Sequence, residues 1–241
     1  MLEFFFKKKI VGKNGHEHGL KITKRIQLEI VEELLDSSRL TFDFYLMLIL
    51  SAIVVTLGLM LNNSAVIIGG MLITPLLTPI LTLALGIVIA DGKLIWRSIK
   101  IIFISSLIIV GVSLIISFMF PVTEYNLEIE SRLISNIPYF LVAFTAGLAA
   151  TFAWAKKNLY AMLPGVAISV SLLPPLSVVG IGLSNLHLAV ARESLVTFSL
   201  NLFGIILGSV IIFSLLNFYK AKKETQKEVL KEEKTGQNYL S

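Results

Sequence analysis

Residues 64–90 form a run of 27 residues without a charged side chain, SAVIIGGMLITPLLTPILTLALGIVIA. As an α-helix this run would be about 40 Å long, whereas the hydrocarbon core of a bilayer is about 30 Å thick. Pro75 and Pro79 interrupt the run, and proline removes a backbone donor from a helix. The run therefore predicts either one broken membrane crossing or a re-entrant hairpin, and the sequence leaves both open.

Charge-free runs recur along the whole chain of 241 residues, of which 55% are hydrophobic and only 15% charged. A soluble domain carries about 25% charged residues, so this chain has too few to cover a water-exposed surface. Charge-free runs longer than about 18 residues predict membrane-spanning helices. Six spans are predicted, at about residues 44–61, 64–90, 101–120, 139–155, 159–183 and 195–219.

Lysine and arginine lie mainly on one side of this six-span arrangement. That side carries Lys93, Arg97, Lys100, Lys156, Lys157, Lys220, Lys222 and Lys223, together with the basic N-terminal segment. The other side carries only Arg132 and Arg192, each near acidic residues. Because basic residues concentrate on the cytoplasmic side of a membrane, both termini are predicted to be cytoplasmic.

The two halves of the chain resemble each other. When the second half is shifted back by 96 residues, Pro175 falls on Pro79 and Gly182 falls on Gly86. Each half then contains three spans with a proline-broken middle one. An odd number of spans makes the second copy inverted, as in secondary transporters whose broken helices meet near the membrane midplane.

The predicted fold is therefore an all-α membrane protein with six transmembrane helices in two inverted three-helix repeats. The transmembrane domain covers residues 42–219, with repeats at about 42–120 and 138–219. Residues 1–41 are predicted to be a cytoplasmic segment with an amphipathic helix at 24–37, and residues 220–241 a charged cytoplasmic tail.

The proline breaks are the candidate functional site. A break leaves backbone carbonyls without partners, and in lipid such groups must face protein or a wet cavity. Hydroxyl and amide side chains lie near both breaks and in the last span, which predicts a solute or ion site. An alternative is that the prolines merely bend the helices. The candidate residues are Thr74, Pro75, Thr78, Pro79, Ser169, Ser171, Pro174, Pro175 and Asn201.

Several classes of chemistry are not expected. No Asp, Glu or His lies within a predicted span, so neither an enzyme nor a carboxylate proton relay is predicted. The absence of cysteine excludes disulfides and thiolate chemistry. We predict no cofactor, no metal and no nucleic-acid partner, because the basic residues flank apolar runs as they do beside lipid headgroups.

The sequence favours a transporter or permease-like channel, with a small neutral or weakly polar solute preferred slightly over an ion. A non-transporting oligomeric scaffold or lipid-binding module is the alternative. The GxxxG pair Gly204 and Gly208 suits close helix contact, within the chain or between subunits. Together with the amphipathic helix, it predicts a homo-oligomer that contacts membrane lipids.

Two motifs also resemble a known family. Residues 63–80, NSAVIIGGMLITPLLTPI, then Asp91-Gly92, and residues 163–176, LPGVAISVSLLPPL, are similar to the prokaryotic uncharacterised hydrophobic domain, domain of unknown function 389. The resemblance covers about residues 40–218. It implies the cytoplasmic membrane of a prokaryote and carries no activity with it.

Overall fold

The structure is a computed structural model that describes residues 24–38, 40–122, 124–156, 159 and 172–221. Within these ranges the regular elements are helices, and no β-strand is present. Residues 160–171, which include Ser169 and Ser171 and most of the first half of the predicted fifth span, lie outside the described residues. The helices are α1 (Lys24–Ser37), α2 (Phe42–Met60), α3 (Ser64–Ile73), α4 (Leu77–Ile89), α5 (Gly92–Met119), α6 (Leu127–Glu130), α7 (Ile137–Ala155), α8 (Leu173–Ser184), α9 (Leu188–Leu215) and a final 3-10 helix (Phe218–Ala221).

Four of these helices, α2, α5, α7 and α9, are long and apolar enough to cross a bilayer. The bent pair α3 and α4 makes a fifth candidate if it is one span. The chain is therefore a multi-pass integral membrane protein, and the all-helical class predicted from the charge-free runs is confirmed. Helix α8 is also apolar but has only 12 described residues.

Proline separates α3 from α4. Thr74 has extended backbone, φ −71° and ψ 132°, as expected for a residue that precedes a proline. Pro79 lies in the first turn of α4, and Pro174 and Pro175 lie in the first turn of α8. The N–H groups of a first turn have no intrahelical partner in any case, so proline is tolerated there. The helix axis bends by 55° across the break at Thr74-Pro75.

Helices α2 and α5 run in the same direction along the membrane. Leu40, just before α2, shares a cavity with Lys93 and Ile104 near the start of α5. Further along both helices, Thr56 Oγ1 lies 2.7 Å from Ser113 Oγ. Because both helices advance toward their C-termini between the first contact and the second, α2 and α5 are parallel.

Helices α7 and α9 are also parallel, and the GxxxG glycines lie between them. A Cβ on Gly204 would lie 3.1 Å from the carbonyl oxygen of Phe140, and a Cβ on Gly208 would lie 2.8 Å from the backbone nitrogen of Leu148. The pair therefore serves close packing within the chain. Homo-oligomerisation, predicted partly from this motif, stays a prediction.

The amphipathic pattern at residues 24–37 is helix α1, and its apolar side packs on one end of the bundle. Gln27 Nε2 donates a hydrogen bond to the Leu216 carbonyl oxygen at 2.8 Å. The side chains that α1 buries contact the ends of α4, α7 and α9 in one cluster. At most 1% of each is exposed: Ile30, Val31, Leu34 and Leu35.

Candidate functional site

The two proline breaks lie at the same depth in the bundle. Helices α4 and α5 are antiparallel around Gly86, whose Cβ would lie 3.2 Å from the backbone nitrogen of Ile95. Leu76 comes ten residues before Gly86, and Ser105 comes ten residues after Ile95. Because both helices rise by about 1.5 Å per residue, Leu76 and Ser105 lie at the same depth in the bundle. The first break therefore lies level with Ser105, near the centre of α5.

A separate set of contacts, between α5 and α8, places the second break at the same depth. Helices α5 and α8 are parallel, since a Cβ on Gly180 would lie 2.7 Å from Cβ of Ser113 and Ser184 Oγ donates to Ser117 Oγ at 2.6 Å. Seven residues before Gly180, the start of α8 at Leu173 is level with Ser106 of α5. Residues from both breaks, including Leu76 and Leu173, belong to the same buried cluster.

A row of serines follows the buried face of α5. Ser98, Ser105, Ser113 and Ser117 are each at most 1% exposed. Ser98 and Ser117 are 19 residues apart, about 28 Å of helix, which approaches the thickness of the hydrocarbon core. Ser113 pairs with Thr56 of α2 and Ser117 with Ser184 of α8, so the row faces both neighbouring helices.

Four buried hydroxyls have no hydrogen-bond partner among the described residues: Thr74 Oγ1, Ser98 Oγ, Ser105 Oγ and Ser177 Oγ. Serine and threonine in membrane helices commonly bond back to their own helix, as Ser106 does by donating to the Ile102 carbonyl oxygen at 2.8 Å. A buried hydroxyl without a partner costs roughly 1–3 kcal/mol. Each such group has capacity to bind water or a polar ligand.

Three of these four hydroxyls converge in depth. Ser177 lies one turn before Gly180 and is therefore level with Val110, while Thr74 lies two residues before Leu76. The depths of Thr74, Ser105 and Ser177 therefore differ by at most about 8 Å along the bundle axis, which is the rise of about five helical residues. We call Thr74, Ser105 and Ser177 the hydroxyl layer. It lies at the depth of both proline breaks.

The structure places the predicted site residues of the first break in different environments. Thr74 belongs to the hydroxyl layer, and Pro75 is half-buried beside it. The hydroxyl of Thr78 donates to the carbonyl oxygens of Ser37, at 3.0 Å, and of Pro75, at 3.1 Å. Thr78 therefore ties α4 to the end of α1, and its hydroxyl is already engaged. Pro79 is buried in the first turn of α4.

The second break is described from residue 172 onward. Pro174 and Pro175 are buried, and the carbonyl oxygen of Pro175 accepts a hydrogen bond from Ser194 Oγ at 2.8 Å. Asn201 is 6% exposed on the buried face of α9. The N-terminal residues Leu76 of α4 and Leu172 of α8 make no side-chain cap. Proline removes most of the backbone donors there, since Pro79 leaves α4 with the N–H groups of Leu77 and Thr78 in its first turn, and Pro174 and Pro175 leave α8 with that of Leu173.

Sequence reasoning missed Ser98, Ser105 and Ser177. For Ser98 and Ser105 the signal was the spacing of serines in α5, which recur at intervals close to whole helical turns and therefore share a face, whereas Ser177 lies in α8 close to the second break. The corresponding face of α9 is also polar. Its residues 96 positions after Ser98, Ser105 and Ser113 are Ser194, Asn201 and Ser209, and all three are buried. No group of three His, Cys, Asp or Glu that could hold a metal occurs in the part of the chain that the structure describes.

Comparisons with known proteins identify a family but no activity. A family model described as domain of unknown function (389) matches residues 71–207, a stretch that includes both breaks and all of α5. An uncharacterised protein of the archaeon Methanocaldococcus jannaschii is 33% identical over 179 residues, which are 74% of this chain and 56% of that relative. The chain thus spans little more than half the length of this relative. No solved structure matches the chain.

Proposed function

The chain belongs to the family described as domain of unknown function 389, and we propose from the geometry of its bundle that it is a permease for a small, uncharged polar solute. The observation that carries the proposal is the hydroxyl layer. Thr74, Ser105 and Ser177 each hold a buried oxygen that has no hydrogen-bond partner within the described part of the chain, at the depth of both helix breaks. A solute with hydroxyl or amide groups would satisfy these oxygens where the described protein groups do not.

The chemistry of the layer favours an uncharged solute. A hydroxyl both donates and accepts, so the layer can bond an uncharged polar solute in either role. No charged side chain lies between Lys100 and Glu124 or between Asp43 and Asp91. An ion at this depth would therefore meet no counter-charge from α2 to α5 within those ranges, and burying an unpaired charge is costly.

We also propose the finer architecture, six spans in two inverted repeats. Helices α4 and α8 begin 96 residues apart, as do α5 and α9, which have 28 residues each. The turns that follow α4 and α8 contain equivalent residues with positive φ, 52° at Ala90 and 58° at Leu186. Gly86 and Gly182 occupy equivalent positions facing the next helix.

The relative directions of the helices support the same topology. In a six-span chain with a cytoplasmic N-terminus, spans one, three and five run outward and spans two, four and six run inward. The parallel pairs α2 with α5, α5 with α8, and α7 with α9 agree with this order. A bend of 55° leaves α3 and α4 advancing in the same general direction, which favours a broken crossing over a hairpin. With the basic residues inside, both termini lie in the cytoplasm of a prokaryote.

Reporter fusions test this topology. A reporter enzyme that is active only outside the cytoplasm is expected to be inactive when fused after Tyr219 and active when inserted at Glu128. Glu128 lies in α6, between the third and fourth spans of the proposed topology. An inactive Glu128 insertion, in a protein that still reaches the membrane, would contradict the six-span order.

Proteoliposome swelling tests the permease itself. Vesicles that contain the purified protein are expected to swell faster than empty vesicles in glycerol or urea, and no faster in sodium gluconate or choline chloride. Equal swelling of protein-containing and empty vesicles in every uncharged solute would contradict the proposal.

The scaffold remains the second candidate because of one observation. Leucines at the breaks, Leu76, Leu172, Leu173 and Leu176, pack into one buried cluster, and such a centre suits a structural membrane module. A chain without any solute flux, which forms stable homo-oligomers in native membranes, would favour this candidate. An enzymatic activity is not proposed in either case.

A further inference from the structure

We propose that the cavity between α5 and the chain that enters α2 is a water-filled vestibule, which connects the cytoplasm with the depth of the hydroxyl layer. The proposal rests on the topology given above, which makes this end of α5 cytoplasmic, and it names an entrance for the permease. The cavity has a volume of about 480 Å³, and Leu40 forms part of its wall. Its lining follows α5 from Lys93 to Ile104, about 16 Å of helix. The cavity therefore extends from the end of the bundle to the residue before Ser105.

Helix α1 stands upright in the bundle and reaches almost to the same depth. Thr78 Oγ1 donates to the Ser37 carbonyl oxygen at 3.0 Å, and Thr82 Oγ1 donates to the Leu34 carbonyl oxygen at 3.4 Å. Because the first contact is earlier on α4 but later on α1, the two helices are antiparallel. Thr78 lies in the first turn of α4, which begins at the depth of the hydroxyl layer. Ser37 therefore lies within about 5 Å of that layer along the bundle axis.

Contacts at the other end of α1 give a similar depth. Gln27 Nε2 donates to the carbonyl oxygen of Leu216, which comes 15 residues after Asn201, or about 22 Å of helix. Asn201 is the equivalent of Ser105 in the second repeat. Ser37 comes ten residues after Gln27, about 15 Å along α1, which leaves it about 7 Å from the depth of Asn201. In a hydrocarbon core about 30 Å thick, the end of α1 therefore lies well inside the cytoplasmic half.

Two helices expose carboxylates at this depth. Asp36 is exposed near the end of α1, and Asp43 is exposed in the first turn of α2. Since Thr56 pairs with Ser113 and α2 is parallel to α5, Asp43 lies level with Lys100, about 8 Å from the hydroxyl layer. A charged group exposed to lipid so far inside the hydrocarbon is costly. Lysine can extend its long side chain to the headgroups, but aspartate is too short to do so.

Neither of two other surroundings suits these carboxylates. An amphipathic helix that lies flat among the headgroups keeps its charges in water, but α1 stands against α4 and buries Leu34 and Leu35 in the bundle. Pairing with a cation does not replace the water, because an ion pair exposed to hydrocarbon leaves two charges desolvated. A water-filled vestibule solvates the carboxylates and also the cationic side chains of the α5 wall.

The hydroxyls of the serine row differ on the two sides of the layer. On the outer side Ser113 pairs with Thr56, and Ser184 donates to Ser117, so α5 is joined to both neighbouring helices. On the cytoplasmic side Ser98 is buried, and its hydroxyl has no partner among the described residues. This difference favours access to the layer from the vestibule over access from outside.

Single cysteines at one depth test the vestibule. The chain has no cysteine, so Ser37→Cys and Phe103→Cys each carry one thiol. Ser37 is exposed on α1, and its replacement leaves the carboxylates in place. Phe103 is 63% exposed on α5, two residues before Ser105, and serves as the lipid-facing control. In inside-out membrane vesicles we expect a membrane-impermeant thiosulfonate to label Ser37→Cys at least about tenfold faster than Phe103→Cys, because a thiolate forms readily only where water reaches the thiol.

The other outcomes each contradict the vestibule. If neither thiol reacts until the protein is denatured, lipid or a second copy of the chain covers the end of α1. If both react equally fast, this end of the bundle lies outside the hydrocarbon. If Ser37→Cys reacts only in right-side-out vesicles, the entrance is not cytoplasmic and the topology is reversed. Labelling requires no solute flux, so a failure of the permease in the swelling assay is distinguishable from a failure of the vestibule.

Discussion

Replacing Gly180 by leucine is expected to prevent α8 from packing on α5 and to destabilise the whole bundle. A Cβ at this position would lie 2.5 Å from the carbonyl oxygen of Val110 and 2.9 Å from the backbone nitrogen of Leu114. Both atoms belong to the backbone of a long helix and cannot move aside as a side chain could. Overpacking of this kind costs about 3 kcal/mol or more, so thermal unfolding of the purified protein in detergent should shift down by many degrees.

Gly111 provides the matched control on α5. A Cβ at Gly111 would meet nothing within 4 Å, so leucine there adds only an apolar side chain in open space. We expect Gly111→Leu to change the stability by less than about 0.5 kcal/mol. Similar unfolding temperatures for the Gly180 and Gly111 variants would mean that α5 and α8 do not make the close contact on which the depth of the second break depends.

Replacing Ser105 by alanine is expected to lower solute flux and, at the same time, to leave the protein as stable as before or more so. The Ser105 hydroxyl is buried and has no partner among the described residues, so its removal relieves a desolvation penalty of roughly 1 kcal/mol. A solute that loses this hydrogen bond in a buried site should permeate about tenfold more slowly. The measurements are proteoliposome swelling in glycerol and urea, and thermal unfolding in detergent.

The adjacent serine is the control for this prediction. Ser106 donates its hydroxyl to the Ile102 carbonyl oxygen at 2.8 Å and lines an apolar cavity of about 450 Å³ between α4, α5, α8 and α9. Ser106→Ala should keep full flux. If both variants keep full flux, Ser105 does not contact the solute, and if both lose it equally, the effect belongs to the helix and not to the layer.

The sequence predicted the presence of long apolar helices better than where those helices begin and end. The third span was predicted at 101–120, whereas α5 is Gly92–Met119. Lys93, Arg97 and Lys100 mark the edge of the hydrocarbon, but lysine and arginine are compatible with a helix that continues into water. The start of the sixth span was predicted at residue 195, whereas α9 begins at Leu188. The reason is the same, because Arg192 and Glu193 lie in the first turns of α9 and are compatible with a helix that continues into water.

Of the three residues in the hydroxyl layer, only Thr74 belonged to the site predicted from the sequence. Thr74 was chosen for its proline neighbour and lies in the hydroxyl layer, since a residue before proline leaves the helix. Thr78 was chosen for the same reason, but its hydroxyl reaches the carbonyl of Ser37, a contact with a segment about forty residues away that no local pattern encodes. Ser105 and Ser106 are neighbours in one apolar run, and only the packing of α5 distinguishes the buried hydroxyl without a partner from the one that bonds back to its helix.

Cysteine accessibility at Ser105 tests most directly the claim that a polar path passes through the hydroxyl layer. The chain has no cysteine, so Ser105→Cys and Ile109→Cys each carry a single thiol. Both positions are fully buried on the same face of α5, one turn apart. We predict that a small hydrophilic thiol reagent labels Ser105→Cys in intact membranes much faster than Ile109→Cys, and that glycerol or urea slows this labelling. Equal and negligible labelling of both variants, with full labelling after denaturation, would contradict the account and leave a dry bundle.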